Sequence, residues 1–303
     1  MDKPTLKRLA IALTIAACAL MAPGLAQQQL ESSTTIDGFS VVDERDGSIT
    51  YQGPSKLRKK LEEQRIGLVV LRHGQSESNQ EAERVNQTLL YGQTESSLTA
   101  NGERQARTCS ELLIEDLGGS VWLRQLQQGR IQPPIVISSN LSRASRTAEI
   151  LVEALEERTG HDLQLLLDPR LKETDFGDFE GRPLNELKAL YPDFVGHWRP
   201  ANDLGTDYLH RFPGGESRLD LMKRVSQLLE EVAETHPRRT IILVSHSECL
   251  IALRAALGLA PSESGKIRAE TSVFANARPY WVLRPSLSFQ EPLKVKQATE
   301  PLK

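Results

Sequence analysis

Three short stretches carry side chains suited to phosphoryl chemistry: Arg72-His73-Gly74-Gln75-Ser76 with Asn79 just beyond, Ser138-Ser139-Asn140-Leu141-Ser142-Arg143-Ala144, and Ser245-His246-Ser247. A phosphoryl group carries up to about two negative charges at neutral pH and is best held by guanidinium forks and helix-terminal N–H groups. A neutral imidazole attacks phosphorus well when its other ring nitrogen donates a hydrogen bond that fixes the tautomer. A second, protonated histidine and two arginines would then stabilise the equatorial oxygens as phosphorus is displaced in line. The remaining need is an acid for the leaving oxygen. Residues 171–181 (LKETDFGDFEG) supply Glu173, Asp175, Asp178 and Glu180 in a glycine-bounded loop.

Those residues matter only if the fold brings them together. Residues 66–71 (IGLVVL), 135–137 and 240–244 (TIILV) are short, nearly continuous apolar runs, as expected of strands covered on both faces. Between them lie helical patterns: one capped by Thr99 and running to about Leu117, one from Ser142 to about Arg158, one over 217–235 and one over 247–257. Strands alternating with helices predict a three-layer α/β/α sandwich with a mostly parallel central sheet. Ligands bind beyond the carboxyl ends of such strands. Each reactive stretch follows a predicted strand, so the three can converge on one pocket.

Five ordered pieces make the sequence resemble the histidine phosphatase superfamily, the phosphoglycerate-mutase-like branch (branch 1). They are RHGQSESN at 72–79, SLTANGERQA at 97–106, SSNLSRASRTA at 138–148, LKETDFGDFEG at 171–181 with PGGES at 213–217, and VSHS at 244–247. Each piece alone reads as a turn, a cap or a solvated charge; their conjunction in this order is what carries the resemblance. It covers about residues 66–283. It implies His73 as the phosphorylated nucleophile, Arg72, Arg143 and His246 as the phosphate-binding set, Glu173 as the proton donor and Asn79 as a secondary phosphate contact. It implies no metal and no cofactor, and none of the histidines stands in a metal-ligand spacing.

Departures from the family pattern bear on the substrate. Gln75 and Ser247 replace the more usual Glu and Gly, and Gln93 stands where the mutases carry a tryptophan. The stretch between the acid and the second histidine is also shorter than theirs, so a mutase is disfavoured. Residues 208–217 (YLHRFPGGES) are similar to the bisphosphatase half of bifunctional sugar-bisphosphate enzymes, yet the basic residues gripping a second phosphate would fall at Gly214 and Ile251. A simple phosphomonoester hydrolase acting on a small phosphorylated molecule is therefore expected. A non-catalytic phospholigand sensor on the same fold is the alternative from another class. Two stretches are expected to shape specificity: residues 118–134, and a cap over 187–212 with Arg199 and Arg211 as candidate substrate contacts and Trp198 and Phe212 as packing residues.

The 303 residues carry a formal charge of −3, with 39% apolar and 25% charged residues. Long disorder, a multi-span membrane protein and a nucleic-acid binder, which needs a basic face, are excluded by that balance. Lys3, Lys7 and Arg8 precede the apolar stretch 9–26, which reads as a secretory signal peptide cleaved after Ala26. Two rival readings are lipidation at Cys18 and an uncleaved anchor; all three predict an exported, periplasmic or secreted protein, membrane-bound only if the terminus is lipidated or retained. The expected organisation is a signal at 1–26, a hairpin-plus-helix extension at 27–64, the phosphatase domain at 65–285 and a tail at 286–303. Cys109 and Cys249, each in a helical pattern, are expected to be buried free thiols.

Overall fold

The computed structural model describes residues 56–192, 211–259 and 274–284, together with the backbone of three strands between 34 and 52. The chain divides after Gly53 into two compact units. The first holds β1 (Thr34–Ile36), β2 (Phe39–Asp43) and β3 (Ile49–Gln52), an antiparallel sheet in that order. β2 and β3 are the two arms of the predicted hairpin, with Val41 opposite Tyr51. Cys18, the predicted signal and the predicted tail lie outside the described residues.

The second unit begins with α1 (Lys56–Glu63). Its placement corrects the expected boundary at residue 64. Leu57 and Leu61 are buried, and Lys60 pairs with Glu234 at 2.7 Å. A helix with an apolar stripe needs a surface to bury it against, and here that surface belongs to the larger unit.

The larger unit is built on β4 (Gly67–Arg72), β5 (Ile135–Ser138), β6 (Gln164–Leu167), β7 (Thr240–Ser245) and β8 (Pro279–Leu283). Their order is β6-β5-β7-β4-β8; the first four are mutually parallel and β8 closes the edge antiparallel to β4. Helices α2 (Glu77–Val85), α3 (Ala100–Leu117), α4 (Gly119–Gln127), α5 (Ser142–Thr159), α6 (Leu184–Leu190), α7 (Arg218–Thr235) and α8 (Ser247–Ala256) complete it. The predicted three-layer arrangement is the one observed. Val69, Leu71, Val136, Ile242 and Val244 pack into one cluster with Cys109, Leu113, Leu126, Ala148 and Leu151 from α3, α4 and α5. The alternate residues Leu68, Val70, Ile137, Ile241 and Leu243 are equally buried, as strand periodicity requires of a sheet covered on both faces.

Residues 118–134 were expected to shape specificity, but they mostly form α4, whose Trp122 and Leu126 are part of this core. Their burial there assigns them to packing. α2, α6, β6 and β8 were not read from the sequence. α2 has Ser78 as its one buried residue and β6 is half exposed, so neither writes an apolar period.

Cys109 and Cys249 are both free and buried. Burial pushes their thiols up to about 12 and about 11, so neither is poised as a thiolate nucleophile.

Candidate active site

Strand register creates the site. β4 and β7 are adjacent and parallel, with Arg72 opposite Ser245. The next residue on each strand is a histidine. His73 and His246 therefore emerge side by side, their ring centroids 5.1 Å apart. The backbone ties the strand ends together: His73 N–H donates to Ser245 O and Ser139 N–H to Val244 O, both at 2.9 Å. β5 ends one strand further along, and the turn after it starts α5, which carries Arg143.

His73 is buried, and its Nδ1 lies 2.7 Å from the carbonyl oxygen of Gly74. A carbonyl can only accept, so Nδ1 carries the proton and Nε2 holds the lone pair. Burial, with the Arg72 and Arg143 charges, holds His73 well below the usual imidazole range. It is neutral, as a nucleophile must be. Gly74 is held by Thr147 Oγ1 at 3.0 Å, and that hydroxyl donates to Arg143 O at 2.6 Å, joining the nucleophile's loop to α5.

Gly74 also rests on the first turn of α3, where a Cβ would collide with the carbonyl oxygen of Gly102. Gly74→Ala is expected to push His73 off its register and lower kcat at least tenfold, with a fall in stability of about 1–3 kcal/mol. Steady-state kinetics and thermal unfolding on one preparation check both effects.

His246 lies at the N-terminus of α8, fully buried, with Nε2 at 2.9 Å from Ser139 Oγ. That hydroxyl already accepts the Leu141 N–H. The pattern closes when Ser139 donates to Nε2 and His246 carries its proton on Nδ1, a buried atom without a partner among the described residues. Burial together with Arg143, His73 and Arg72 holds His246 well below the usual range, so the site without phosphate has a neutral donor at this point.

Arg143 is buried and donates to Thr94 O at 2.8 Å and Gly92 O at 2.7 Å. A guanidinium has five N–H groups, so these anchors leave others for a phosphoryl oxygen. Arg72 is half-buried, and its Nε has no partner among the described residues.

Glu173 is the one buried acid of the 171–181 loop. Its Oε1 accepts from Thr174 N–H and Cys249 N–H, both at 3.0 Å, and Oε2 from Glu248 N–H at 3.2 Å. It thus caps α8 from outside that helix. Burial and the Glu248 carboxylate push Glu173 up to about 7 despite these N–H groups and Arg143. A carboxyl near neutrality can both give and take a proton.

The supporting roles of several residues were not legible in the sequence. Glu180 accepts from Gly92 N–H at 2.8 Å, Gln93 N–H at 2.9 Å and Thr94 Oγ1 at 2.8 Å, shaping the loop whose carbonyls anchor Arg143. Arg224 donates to Arg170 O and Glu173 O and grips both oxygens of Glu216, the acid of PGGES, bracing the Glu173 loop. Glu216 stood in a recognised motif; Arg224 is one more basic residue on a long helix and gave no signal.

Three candidates fare differently. Asn79 Oδ1 accepts the Ser76 N–H in a reciprocal helix cap, so only its amide nitrogen could serve a phosphate. Arg211 is exposed, pairs with Asp220 at 2.7 Å and donates to Gly215 O, contacts that tie it to the PGGES turn. Arg199 and Trp198 lie outside the described residues. Phe212 is buried against Phe176 and Phe179, as expected of a packing residue.

Residues 68–275 match the model of the histidine phosphatase superfamily (branch 1). The chain belongs to that family. A glucosyl-3-phosphoglycerate phosphatase of Mycobacterium tuberculosis is 32% identical over 198 residues, covering 63% of this chain and 74% of that protein. An uncharacterised phosphatase of Bacillus subtilis is 30% identical over 184 residues, 61% of this chain and 73% of that one. A probable phosphoglycerate mutase of Yersinia enterocolitica is 31% identical over 204 residues, 67% of this chain and 80% of that one. A solved mycobacterial glucosyl-3-phosphoglycerate phosphatase is 27% identical over 72% of this chain and 98% of its own, with a TM-score of 0.49. This histidine phosphatase is a phosphomonoester hydrolase by descent, and a phosphorylated small molecule is the substrate class its relatives imply.

Proposed function

We propose that this histidine phosphatase hydrolyses a small phosphomonoester through a phosphohistidine at His73, without a metal ion. The anchoring of Nδ1 on Gly74 O carries the reading, because it leaves the Nε2 lone pair for phosphorus. Nε2 attacks as the bond from phosphorus to the leaving oxygen breaks, and Glu173 gives its proton to that oxygen. Arg72, Arg143 and the Nδ1–H of His246 hold the equatorial oxygens. Water then attacks the phosphohistidine, Glu173 takes the water's proton, and phosphate leaves with His73 neutral again.

Hydrolysis of p-nitrophenyl phosphate in EDTA, with acid-quench trapping of an acid-labile labelled histidine, tests the scheme. Phosphate binding by a folded protein without turnover or label at any pH would replace it with the phospholigand-sensor reading. Assays with glucosyl-3-phosphoglycerate and 3-phosphoglycerate ask whether the substrates named for its relatives are shared.

Glu173→Gln is expected to lower kcat/KM, which reports the phosphoryl-transfer step alone, by about 10²–10⁴-fold for an alkyl phosphate, the usual worth of a positioned acid. p-Nitrophenyl phosphate, whose leaving group departs without a proton, slows far less. Equal loss on both substrates would remove Glu173 from the donor role.

We further propose that the protein works outside the cytoplasm, on the basic-then-apolar pattern of residues 3–26. Amino-terminal sequencing of protein from its natural host tests this, with Gln27 the expected first residue.

A further inference from the structure

A proton donor placed like Glu173 presents a difficulty. Its carboxyl accepts three backbone N–H groups, two of them from the first turn of α8. Such donors at the positive end of a helix favour the carboxylate and would strip the proton from the acid. The cations around it act in the same direction: Arg72 from β4, Arg143 from α5 and Arg224 from α7. The other titratable groups facing it are neutral or matched. His73 and His246 are held uncharged, the Cys249 thiol is pushed up to about 11, and Glu216 is gripped by Arg224.

Burial opposes that pull first, and one charged group adds to that opposition. Glu248 is the second residue of α8, and its own N–H is one of the three donors to Glu173. Its side chain, 15% exposed, meets Arg218, 7% exposed, at 3.2 Å. Arg218 is the first residue of α7, just after the PGGES turn whose glutamate braces the Glu173 loop. The ion pair therefore holds an acidic side chain in the first turn of α8, beside the N–H groups that reach Glu173. Glu248 is the principal charge raising the proton affinity of Glu173.

We propose that Glu248, ion-paired with Arg218, is a positioning residue that keeps the proton on Glu173 for delivery to the leaving oxygen. The inference rests on Glu173 being the donor. It assigns a task to a partly buried pair that the phosphoryl-transfer scheme does not otherwise use. The sign follows directly. Glu173 works in its protonated form in the first step, so activity is lost as pH rises through its proton affinity. Removing the Glu248 charge lowers that affinity and moves the loss to lower pH.

The test is the pH dependence of kcat/KM for the full chain and its Glu248→Gln variant, with glycerol 2-phosphate and p-nitrophenyl phosphate as probes. With glycerol 2-phosphate the alkaline limb is expected to move down by about half a pH unit or more, a roughly threefold loss on that limb. With p-nitrophenyl phosphate the displacement is smaller. An unmoved limb, or the same displacement on both probes, would overturn the proposal. Should Glu248→Gln fail to fold, the double variant Arg218→Leu/Glu248→Leu replaces the pair with apolar side chains, a change buried ion pairs often tolerate, and a smaller displacement in the same direction is expected, because the opposing Arg218 charge goes too. The two levels of inference separate cleanly. If Glu173→Gln shows no leaving-group dependence, the donor assignment fails and this proposal with it. If that dependence holds while the limb stays in place, this proposal alone fails.

Discussion

His73→Ala is expected to reduce turnover of every phosphomonoester by about 10⁴-fold or more, the scale reached when a covalent nucleophile is removed. The acid-labile label should disappear with it. His73 is fixed at three points: its ring by Gly74 O, its N–H by Ser245 O, and its carbonyl by Asn276 Nδ2 at 2.8 Å. No nearby side chain replaces it, because His246 is held by Ser139 with the opposite nitrogen and is set to donate rather than attack. The stability cost should be modest, since the ring that His73→Ala removes makes one hydrogen bond among the described residues, to the adjacent residue's carbonyl. Kinetics under substrate saturation, with thermal unfolding as the control, checks the result. Retained turnover with retained label would move the nucleophile elsewhere.

Arg143→Ala is expected to lower kcat/KM by about 10³-fold, the usual worth of a preorganised charge on a transition-state oxygen. It should also cost stability. The Gly92 and Thr94 carbonyls lose charged donors, a penalty of about 1–3 kcal/mol when such groups are left unpaired. Arg143→Lys should recover little of either, because a point charge on a flexible stem cannot serve two carbonyls and a phosphoryl oxygen together. Glu180→Gln provides the comparison: it loosens the same loop while leaving Arg143 in place, so part of the stability loss should appear with a much smaller kinetic effect. Parallel kinetics and unfolding measurements on the three variants check this ordering. A kinetic loss for Glu180→Gln as large as that for Arg143→Ala would mean that the loop, rather than the guanidinium, supports turnover.

Much of this was legible from residue order. The runs at 66–71, 135–137 and 240–244 are apolar on both faces, and each became a central strand within a residue or so of its predicted end. Thr99 caps α3 through Gly102 N–H as its position implied, and Ser217 caps α7. The elements missed were those that write no apolar period into the sequence, such as α2 and β6. The two corrections of placement, α1 and residues 118–134, share a cause: short amphipathic segments find their surface only in three dimensions.

Sequence by itself determined the family, the three central strands with the longer helices between them, and which side chains stand at those strand ends. Those properties follow from local periodicity, caps and motif spacing, which a linear chain carries in full. Tertiary structure alone decided that His246 is held below the usual imidazole range, that Glu173 is pushed up to about 7, and that Arg211 pairs with Asp220. Proton affinity and pairing depend on burial and on charges contributed by distant segments. For Glu173 these come from residues as far apart as Arg72 and Glu248, and only the folded sheet brings them to one point.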